Sequence, residues 1–558
     1  MNQLIFFIFL LEILNAQIEP VKGIHTNTPR VWALTHGMVH TSPGDFIKDA
    51  TIIIRDGKID KVGRYVKVPS DAFQIDLNDA NVYPGFIDSW LEIKYDKKTT
   101  SPDEHWNSKV RASYRAKDDL KFKDKDIKAL HSIGFTTAHI VPQKGIFKGQ
   151  SDLVTISDKP VSISESVSQV VEFMSGKWSD REYPNSLLGT IALIRQTFLD
   201  ADWYAKSREI TLKFPAENEP LDKNYSLESL YNFKSTNRPV LFHTKNEHGA
   251  LRALNISDEF NLKPWLLGSG YEYRRLAEIS KHNPFIILPM DLPAKPKISD
   301  PNIALQYTTE QLKHWDMAPE NFSKIQDAGI FFSLSSHGLK KKSQFRTNLA
   351  RIIDRGFSKD VALASITTYP AEAMGASKTL GKIAPGFMAN LVIVDGDYFD
   401  PKSKILSVWV GGEEHFISDR PTISLKGEWN MTIAGKDKYE IIFKTPSLDN
   451  DPLLHTYNSE KLNKHLQGII KVDDKEFRIN NVAIYDREGS FSASGAAFGL
   501  DGVFSFNMKF QDDSFSGSAN DGSDRTIAFT AKRSKIIKKA KPKKENPSEL
   551  VSFYPEGS

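Results

Sequence analysis

The sequence predicts an α/β protein in which a (β/α) barrel lies between an N-terminal β-rich module and a C-terminal β domain. Short apolar runs alternate with helix-like segments over about 300 residues, and a barrel of this kind usually needs about 250. Alternating stretches separated by turns favour antiparallel β structure at both ends. With 558 residues, of which 40% are hydrophobic and 26% charged, the chain has the length of roughly three or four structural units.

The first residues are typical of a secretory signal peptide. The run 4–14 is apolar except for Glu12, and residues 15–17 read Asn-Ala-Gln, which suits a processing point. Because no Lys or Arg precedes the apolar run, a buried N-terminal helix is the alternative. We expect residues 1–16 to be removed and the protein to be exported to a periplasmic or extracellular location. No later run has the length that spans a bilayer, so we expect no membrane span in the mature chain.

Cysteine is absent from the sequence, which excludes disulfides, thiolate metal ligands and a cysteine nucleophile. Any metal must therefore be held by histidines and carboxylates. The net charge of +3 conceals a basic stretch, since eight Lys or Arg residues lie between Lys532 and Lys544. This stretch lacks the interleaved aromatic residues of a nucleic-acid-binding face, so we expect no nucleic-acid partner. Residues 534–558 are predicted to form a basic linker or tail.

The N-terminal module consists of short β-rich runs between residues 31 and 76, and Asp56-Gly57 is a hairpin turn between two of them. Strand signals return at 389–394 and 406–410, and these runs are candidates to complete the module. A further region with alternating residues and Asp/Gly/Ser turns, from about Gly427 to Arg533, predicts a separate antiparallel sandwich or barrel.

Between these β regions, apolar runs of the kind that form buried parallel strands alternate with amphipathic helix patterns. The predicted strands are 135–142, 239–243, 265–268, 285–288 and 330–335. The predicted crossover helices are 186–204, 247–260 and 271–282.

Several local sequences occur in an order and spacing that are specific in combination, although each is weak alone. They are Thr51–Gly63 (TIIIRDGKIDKVG), Val82–Asp88 (VYPGFID), Gly134–Ala138 (GFTTA), Thr367–Gly375 (TTYPAEAMG), Gly381–Asp395 (GKIAPGFMANLVIVD) and Val408–Gly412 (VWVGG). Over roughly residues 31–413 the chain resembles amidohydrolase-superfamily proteins of the imidazolonepropionase-like and dihydroorotase-like kind.

The resemblance implies a (β/α)8 TIM-like barrel flanked by a small composite β-sandwich made from both ends of the barrel. On this basis we expect the sandwich to comprise residues 17–83 and 384–420, the barrel residues 84–383, and the C-terminal β domain residues 424–533. The implied activity is hydrolysis of cyclic amides, dipeptides or related C–N bonds by metal-activated water.

The resemblance also implies where the metal ligands stand. The motif that ends at Asp88 is expected to continue as x-His-x-His, with both imidazoles pointing into the barrel mouth, but Trp90 and Glu92 occupy these positions. Tryptophan offers no lone pair to a cation, whereas Glu92 can bind one. His243 matches the ligand that ends a later strand, and the run Trp265–Gly270 lacks the histidine of another.

The last barrel strand of the family ends in an aspartate that binds metal and accepts the proton of the attacking water. His337 stands there in this sequence, and an imidazole supplies no negative charge. The carboxylated lysine that bridges two metals in some relatives is left unassigned, although Lys206 and Lys213 lie in a suitable region.

Three hypotheses follow for the site. In the first, the mouth binds no metal and the protein is a catalytically impaired binding or scaffold module, whose partner is a homologous active amidohydrolase unit, a second copy of the chain or a small molecule. His139 is then a buried histidine with satisfied hydrogen bonds, and His243 bonds to Thr244 or Lys245.

In the second hypothesis, Glu92, His243 and His337, with His139 as a candidate fourth ligand, hold one divalent metal, with zinc preferred, and His337 is the catalytic residue. The third hypothesis makes Ser335 or Ser336, beside His337, a nucleophile. It is disfavoured because no orienting carboxylate is identifiable and adjacent strand side chains point in opposite directions.

Overall fold

The structure is a computed structural model, and its described residues fall into two compact units, Met1–Ile417 and Ser418–Ser558. The described residues are 31–94, 104–174, 183–296, 301–418, 427–433, 436–444, 467–472, 475–485, 488–511, 514–521 and 526–535. The predicted signal peptide and the tail from residue 536 lie outside the described residues.

The first unit contains both strands and helices. Its strands are β1 Val31–Ser42, β2 Asp45–Arg55, β3 Lys58–Gly63, β4 Phe73–Asp76, β5 Asn81–Pro84, β6 Phe86–Ile93, β7 Phe135–Pro142, β8 Phe147–Gln150, β9 Asp152–Thr155, β10 Ser162–Ser164, β11 Gln169–Glu172, β12 Pro239–His243, β13 Lys263–Leu267, β14 Phe285–Pro289, β15 Phe332–Ser335, β16 Leu391–Val394, β17 Ile405–Val410 and β18 Glu413–Phe416. Its helices are α1 Asp124–His131, α2 Leu187–Lys213, α3 Tyr225–Ser235, α4 Glu247–Phe260, α5 Leu276–Ser280, α6 Pro301–Ala304, α7 Thr309–Met317, α8 Asn321–Asp327, α9 Gln344–Asp354, α10 Lys359–Ile366 and α11 Thr368–Ala373.

Strands from both flanks of the barrel join in one eight-stranded sheet, in the order β18-β17-β16-β5-β1-β2-β3 with β4 paired to β1. The junction is the antiparallel pair β5 and β16, in which Val82 lies opposite Ile393. The turn between β2 and β3 has positive φ angles at Asp56 and Gly57, as a two-residue hairpin with the twist of its strands requires. The sheet thus unites the two β-rich regions on either side of the barrel sequence.

The barrel strands lie in two sheets, β10-β9-β7-β6 and β15-β14-β13-β12-β11-β8. Within them β6 and β7 are parallel, and β11 to β15 run parallel in succession, whereas β8 is antiparallel to β11. A hydrogen bond of 2.7 Å from Ser335 Oγ to Asp88 Oδ1 links the last strand to the first. The predicted TIM-barrel-like arrangement is confirmed, and its parallel strands end at one mouth.

The crossover helices follow from local sequence signals. The hydroxyl of Ser186 accepts the Gly189 N–H at the start of α2, and Asn246 caps α4 in the same way, because free backbone donors at a helix start need side-chain acceptors. Helix α2 continues nine residues beyond its predicted end at Tyr204. Within the segment 271–282, which was predicted to be one helix, the α-helix α5 is shorter than predicted. A 3-10 turn at Glu272–Arg274 precedes it.

The second unit is a closed antiparallel barrel of eight strands. They are β19 Gly427–Ile433, β20 Lys436–Lys444, β21 Gln467–Val472, β22 Lys475–Tyr485, β23 Glu488–Ser494, β24 Val503–Gln511, β25 Ser514–Asn520 and β26 Thr526–Lys535. Alternating inward residues fill its core with aromatic rings, including Trp429, Phe506 and Phe529. The prediction of a C-terminal antiparallel β domain is confirmed, and closure leaves none of these strands at a free sheet edge.

The buried histidine His131 makes the first unit sensitive to acid. Burial lowers its pKa to about 4, and the neighbouring His415 acts in the same direction, while the bond from Nε2 to the Ile156 carbonyl opposes the shift. The unfolded chain binds the proton at its ordinary pKa near 6.5, so this contribution to stability is complete above about pH 6.5 and declines towards about pH 4.

We therefore expect the free energy of unfolding, measured in urea, to be lower at about pH 4.5 than at about pH 7.5. His131 should account for up to about 3 kcal/mol of this difference. The variant His131→Gln, whose amide can still donate to the Ile156 carbonyl, should show a smaller loss between the two pH values. An unchanged pH dependence in this variant would contradict the assignment.

Candidate functional site

The carboxyl ends of the barrel strands bring together the residues that the sequence singled out. Strand β6 supplies Trp90 and Glu92, β12 ends at His243, and His337 follows β15. The ring centroids of His243 and His337 are 5.9 Å apart. Trp90 is 1% exposed, and its ring centroid lies 5.4 Å from that of His243 and 5.7 Å from that of His337. An indole therefore packs edge-on against both imidazoles where the family has a metal ligand.

Two further residues complete the mouth, Lys148 on β8 and Glu172 at the end of β11. Lys148 is 1% exposed, and its Nζ lies 2.7 Å from Glu172 Oε2 and 3.9 Å from Glu92 Oε1. Glu172 stands opposite His243 in the parallel pairing of β11 and β12. Its Oε2 is 3.4 Å from His243 Nδ1, and its Oε1 is 3.5 Å from Lys245 Nζ.

The electrostatics of the mouth favour ionised Glu172. Burial alone raises the pKa of this carboxyl, but the neighbouring His243 and Lys148 outweigh burial and hold the pKa well below its usual range. Burial lowers the pKa of His337, and His243 lowers it further, while Glu92 and Asp88 act in the opposite direction. The buried ammonium of Lys148 therefore lies between the carboxylates of Glu172 and Glu92.

Sequence reasoning did not find Lys148 or Glu172. A signal for Glu172 was present, because it directly follows the apolar pair Val170-Val171, and carboxylates at the ends of parallel barrel strands face the mouth. Lys148 gave a weaker signal, since the segment around Gly149 has the composition of an ordinary turn. In the structure, Lys148 and Gly149 lie on strand β8, and strand β9 follows shortly after.

Asp88 organises the loop after the last strand. Its Oδ1 accepts hydrogen bonds from Ser335 Oγ at 2.7 Å and from the Ser336 N–H at 3.1 Å, and its Oδ2 accepts from Ser336 Oγ. Lys342 Nζ in turn donates to Ser336 Oγ at 2.6 Å and to the Ser336 carbonyl at 2.9 Å. Asp88 and both serines have no exposed surface.

The third hypothesis is therefore corrected in two respects. A carboxylate does contact the two serines, and both hydroxyls point to it rather than in opposite directions. Because Ser335 and Ser336 are fully buried and hydrogen-bonded, neither presents an oxygen to a substrate at the mouth. These residues position the His337 loop, where the His337 N–H donates to Ser335 Oγ at 3.1 Å.

His139 is a satisfied core histidine, as predicted. Its Nδ1 is 2.9 Å from the Ser89 carbonyl and its Nε2 2.7 Å from Ser151 Oγ, and burial lowers its pKa to about 4. With both ring nitrogens engaged and no exposed surface, this imidazole has no nitrogen free for a metal.

The expected partners of His243 were wrong. The hydroxyl of Thr244 donates to the Leu267 carbonyl at 2.7 Å, and Lys245 extends to Glu172, so the neighbour of the imidazole is Glu172. Lys206 and Lys213 are exposed residues of helix α2, outside the set of side chains that line the mouth.

Packing shapes the end of strand β13, where the sequence lacks a histidine. A Cβ at Gly268 would lie 2.9 Å from Leu288 Cδ2, so no imidazole fits at this position without rearrangement. Beyond it, the buried Glu272 accepts from the Ser269 and Gly270 N–H groups and from Asn321 Nδ2 at 2.6–3.0 Å. A buried carboxylate thus fixes the loop where the family has a second histidine.

The described side chains do not fit a resident metal. Among them no group of three His, Asp or Glu residues stands close enough to hold one. The carboxylate Glu172 is bound to an ammonium instead, and Trp90 packs against the two histidines. A divalent ion needs three or more oxygen or nitrogen ligands around it, which this arrangement does not offer.

A cleft of about 640 Å³ also lies beside α3, and its lining includes Gln150, Ser229 and Arg238. Gln150 bonds to Ser229 Oγ at 2.8 Å and accepts from Ser166 Oγ at 2.6 Å. These polar groups satisfy one another, and the lining carboxylate Glu228 is already paired with Arg208, so the barrel mouth is the better candidate site.

Comparisons with known proteins agree with the fold and with the sequence motifs. Residues 320–417, which include His337, match the family model described as "Amidohydrolase family". An amidohydrolase, tasK, of Hapsidospora irregularis is 38% identical over 71 residues, a match that covers 13% of this chain and spans only 7% of the length of that relative.

Among solved structures, an amidohydrolase from Thermotoga maritima MSB8 has a TM-score of 0.57 at 21% identity, covering 69% of this chain and 99% of its own. A Xaa-Pro dipeptidase with bound methionine in its active site has a TM-score of 0.43 at 13% identity. The match covers 69% of this chain and 100% of the dipeptidase chain. In the part of the chain that is described, no helix has the length and hydropathy to cross a membrane. Residues 320–417 thus match the amidohydrolase family model, and the chain shares its fold with the Thermotoga maritima amidohydrolase.

Proposed function

We propose that this protein is a non-catalytic member of the superfamily, a binding or scaffold module that does not carry out metal-dependent hydrolysis. The observation that carries the proposal is the position of Trp90, whose buried indole packs against both His243 and His337. These are the two imidazoles that a mononuclear site would need.

The chemistry of the family explains why this arrangement matters. Hydrolysis by metal-activated water needs an ion held by several ligands with one coordination position left for water. Here an indole N–H group and hydrocarbon edge replace one ligand, and a carboxylate that could serve as another is neutralised by Lys148. The surviving imidazoles then act as packing and hydrogen-bonding groups.

Metal content tests this proposal directly. We expect mature protein purified without chelator, and then supplied with zinc or manganese, to retain less than about 0.1 ion per chain by inductively coupled plasma mass spectrometry. About one tightly held ion per chain would contradict the proposal and favour the alternative, a hydrolase of amide or related C–N bonds with zinc on Glu92, His243 and His337. In that case Glu92→Ala and His243→Ala should each abolish both metal retention and hydrolysis.

The location and partner of such a module are part of the same proposal. We propose export of the chain after removal of residues 1–16, and association with a homologous active amidohydrolase unit or with a second copy of itself. Amino-terminal sequencing of the mature protein tests the first, with Gln17 as the expected first residue. Native mass spectrometry tests the second, and a monomer that captures no homologous unit would contradict the scaffold role.

A further inference from the structure

We infer that two copies of this chain associate through the outer face of helix α2, with the two helices antiparallel about a two-fold axis near residue 201. The proposed function includes association with a homologous unit or with a second copy of the chain. The inference rests on that part of the proposal, and it commits to the second copy and to one face of one helix.

Helix α2 is apolar on two opposite faces. Its inner face packs into the core of the first unit through Leu193, Ile194, Phe198, Ala201 and Tyr204. At 3.6 residues per turn, the opposite side has an exposed apolar stripe made of Leu188, Ala192, Leu199, Trp203 and Ile210. Leu188 is 78% exposed and Trp203 is 60% exposed. Since a surface helix ordinarily has polar residues on the face away from the core, this outer stripe has the composition of a surface that a partner covers.

The spacing of the outer stripe is the same in both chain directions. About a midpoint at residue 201, its apolar residues form the pairs Leu199 with Trp203, Ala192 with Ile210, and Leu188 with the C-cap residue Phe214. A two-fold axis brings residue i of one copy against residue j of the other, and j against i. Antiparallel packing about this midpoint therefore places apolar residues opposite each other at the centre and at both ends of the contact.

The charges beside the stripe fit the same arrangement. Arg195 and Glu209 lie on one flank of the helix, and the point midway between them is residue 202, close to the midpoint of the stripe. Antiparallel packing brings Arg195 of each copy near the partner's Glu209. Arg195 Nε contacts Glu259 Oε2 at 2.7 Å, and the guanidinium has further N–H groups for a second carboxylate. A parallel pair of helices would place each of these charges against the same charge, which disfavours association.

Sedimentation velocity of the full chain compares Leu199→Glu with the matched variant Leu212→Glu. Both replace an exposed leucine of α2, with exposures of 54% and 72%, but Leu212 lies on another side of the helix, outside the stripe. We expect the natural protein and Leu212→Glu to be dimers at about 10 μM. Leu199→Glu should raise the dimer Kd at least about 100-fold, because each of its two copies places a charge in the contact at a cost of at least about tenfold.

Disulfide cross-linking tests the orientation of the two helices. The chain has no cysteine, so introduced thiols are the only ones present. Ala192→Cys combined with Ile210→Cys should give a covalent dimer on oxidation, because these positions face each other in the antiparallel pair. Within one copy they are about 27 Å apart along the helix, too far for an internal disulfide. Each single variant should remain unlinked, because its symmetry-related thiol is as distant.

The inference is overturned if the natural protein is a monomer at about 10 μM, if Leu199→Glu remains a dimer, or if the double cysteine variant gives no covalent dimer. Cross-linking decides the matter if Leu199→Glu folds poorly. The proposed function fails on a different observation, since about one metal ion per chain in a natural dimer would overturn it and leave the inference intact. A metal-free monomer that captures a homologous unit would overturn the inference alone.

Discussion

Glu172→Gln is expected to lower the free energy of unfolding by about 3–5 kcal/mol, because it leaves the buried ammonium of Lys148 without its main counter-ion. The ion pair has a separation of 2.7 Å and both side chains are at most one-tenth exposed. The remaining carboxylate, Glu92, is 3.9 Å from the ammonium and gives only partial compensation. Chemical denaturation at constant pH measures the loss.

The controls separate a buried pair from a general loss of charge. Lys245→Gln removes an exposed partner of the same carboxylate and should change the free energy of unfolding by less than about 0.5 kcal/mol. Replacing Lys148 and Glu172 together by apolar residues should cost much less than Glu172→Gln, since buried ion pairs are often replaced at little cost. Equal losses for Glu172→Gln and Lys245→Gln would refute the role assigned to burial.

Asp88→Ala is the second change with a large expected effect, about 3–5 kcal/mol of unfolding free energy. It removes the common acceptor of the Ser335 and Ser336 hydroxyls and of the Ser336 N–H, and each buried donor left unsatisfied costs about 1–3 kcal/mol. Of the bonds that Ser335 Oγ makes to the first barrel strand, only the one of 3.1 Å to the Trp90 carbonyl remains. Urea unfolding followed by tryptophan fluorescence checks the value.

Asp316→Ala is the matched control for this change. Asp316 also accepts a hydrogen bond, from Arg355 at 2.6 Å, but its side chain is 54% exposed, so we expect a loss below about 1 kcal/mol. A comparable loss for both variants would show that the Asp88 contacts have no special energetic role. For Asp88→Asn we expect a loss of unfolding free energy between those of Asp88→Ala and Asp316→Ala, because the amide oxygen keeps part of the acceptor capacity.

Much of the fold could be predicted because it depends on local patterns. Strand and helix periodicity placed β7, β12, β14 and β15 close to their observed positions. The N-terminal flank was recognisable from its hairpin turn and the second flank from its strand signals. The closed form of the second unit was not predictable from alternation alone, because a sandwich and a barrel use the same two-residue period.

The site was predictable only in part, for a geometric reason. Glu92, His243 and His337 could be assigned to the mouth because the family resemblance implies metal-ligand positions there, at the carboxyl ends of barrel strands. Lys148 and Glu172 are 24 residues apart in sequence, and only the antiparallel pairing of β8 with β11 brings the two strands side by side. Whether donor atoms meet at 3 Å or 6 Å depends on side-chain packing, which no spacing rule contains.

The sheet that joins both flanks of the barrel has a consequence for biosynthesis. During synthesis, strand β5 cannot pair with β16 until β16 has been made, because Val82 pairs with Ile393 about 310 residues later in the chain. At about 5–20 residues per second the interval is roughly 15–60 s. During this time the N-terminal strands present an unpaired edge on the nascent chain, and an edge of this kind can pair with a strand of another chain.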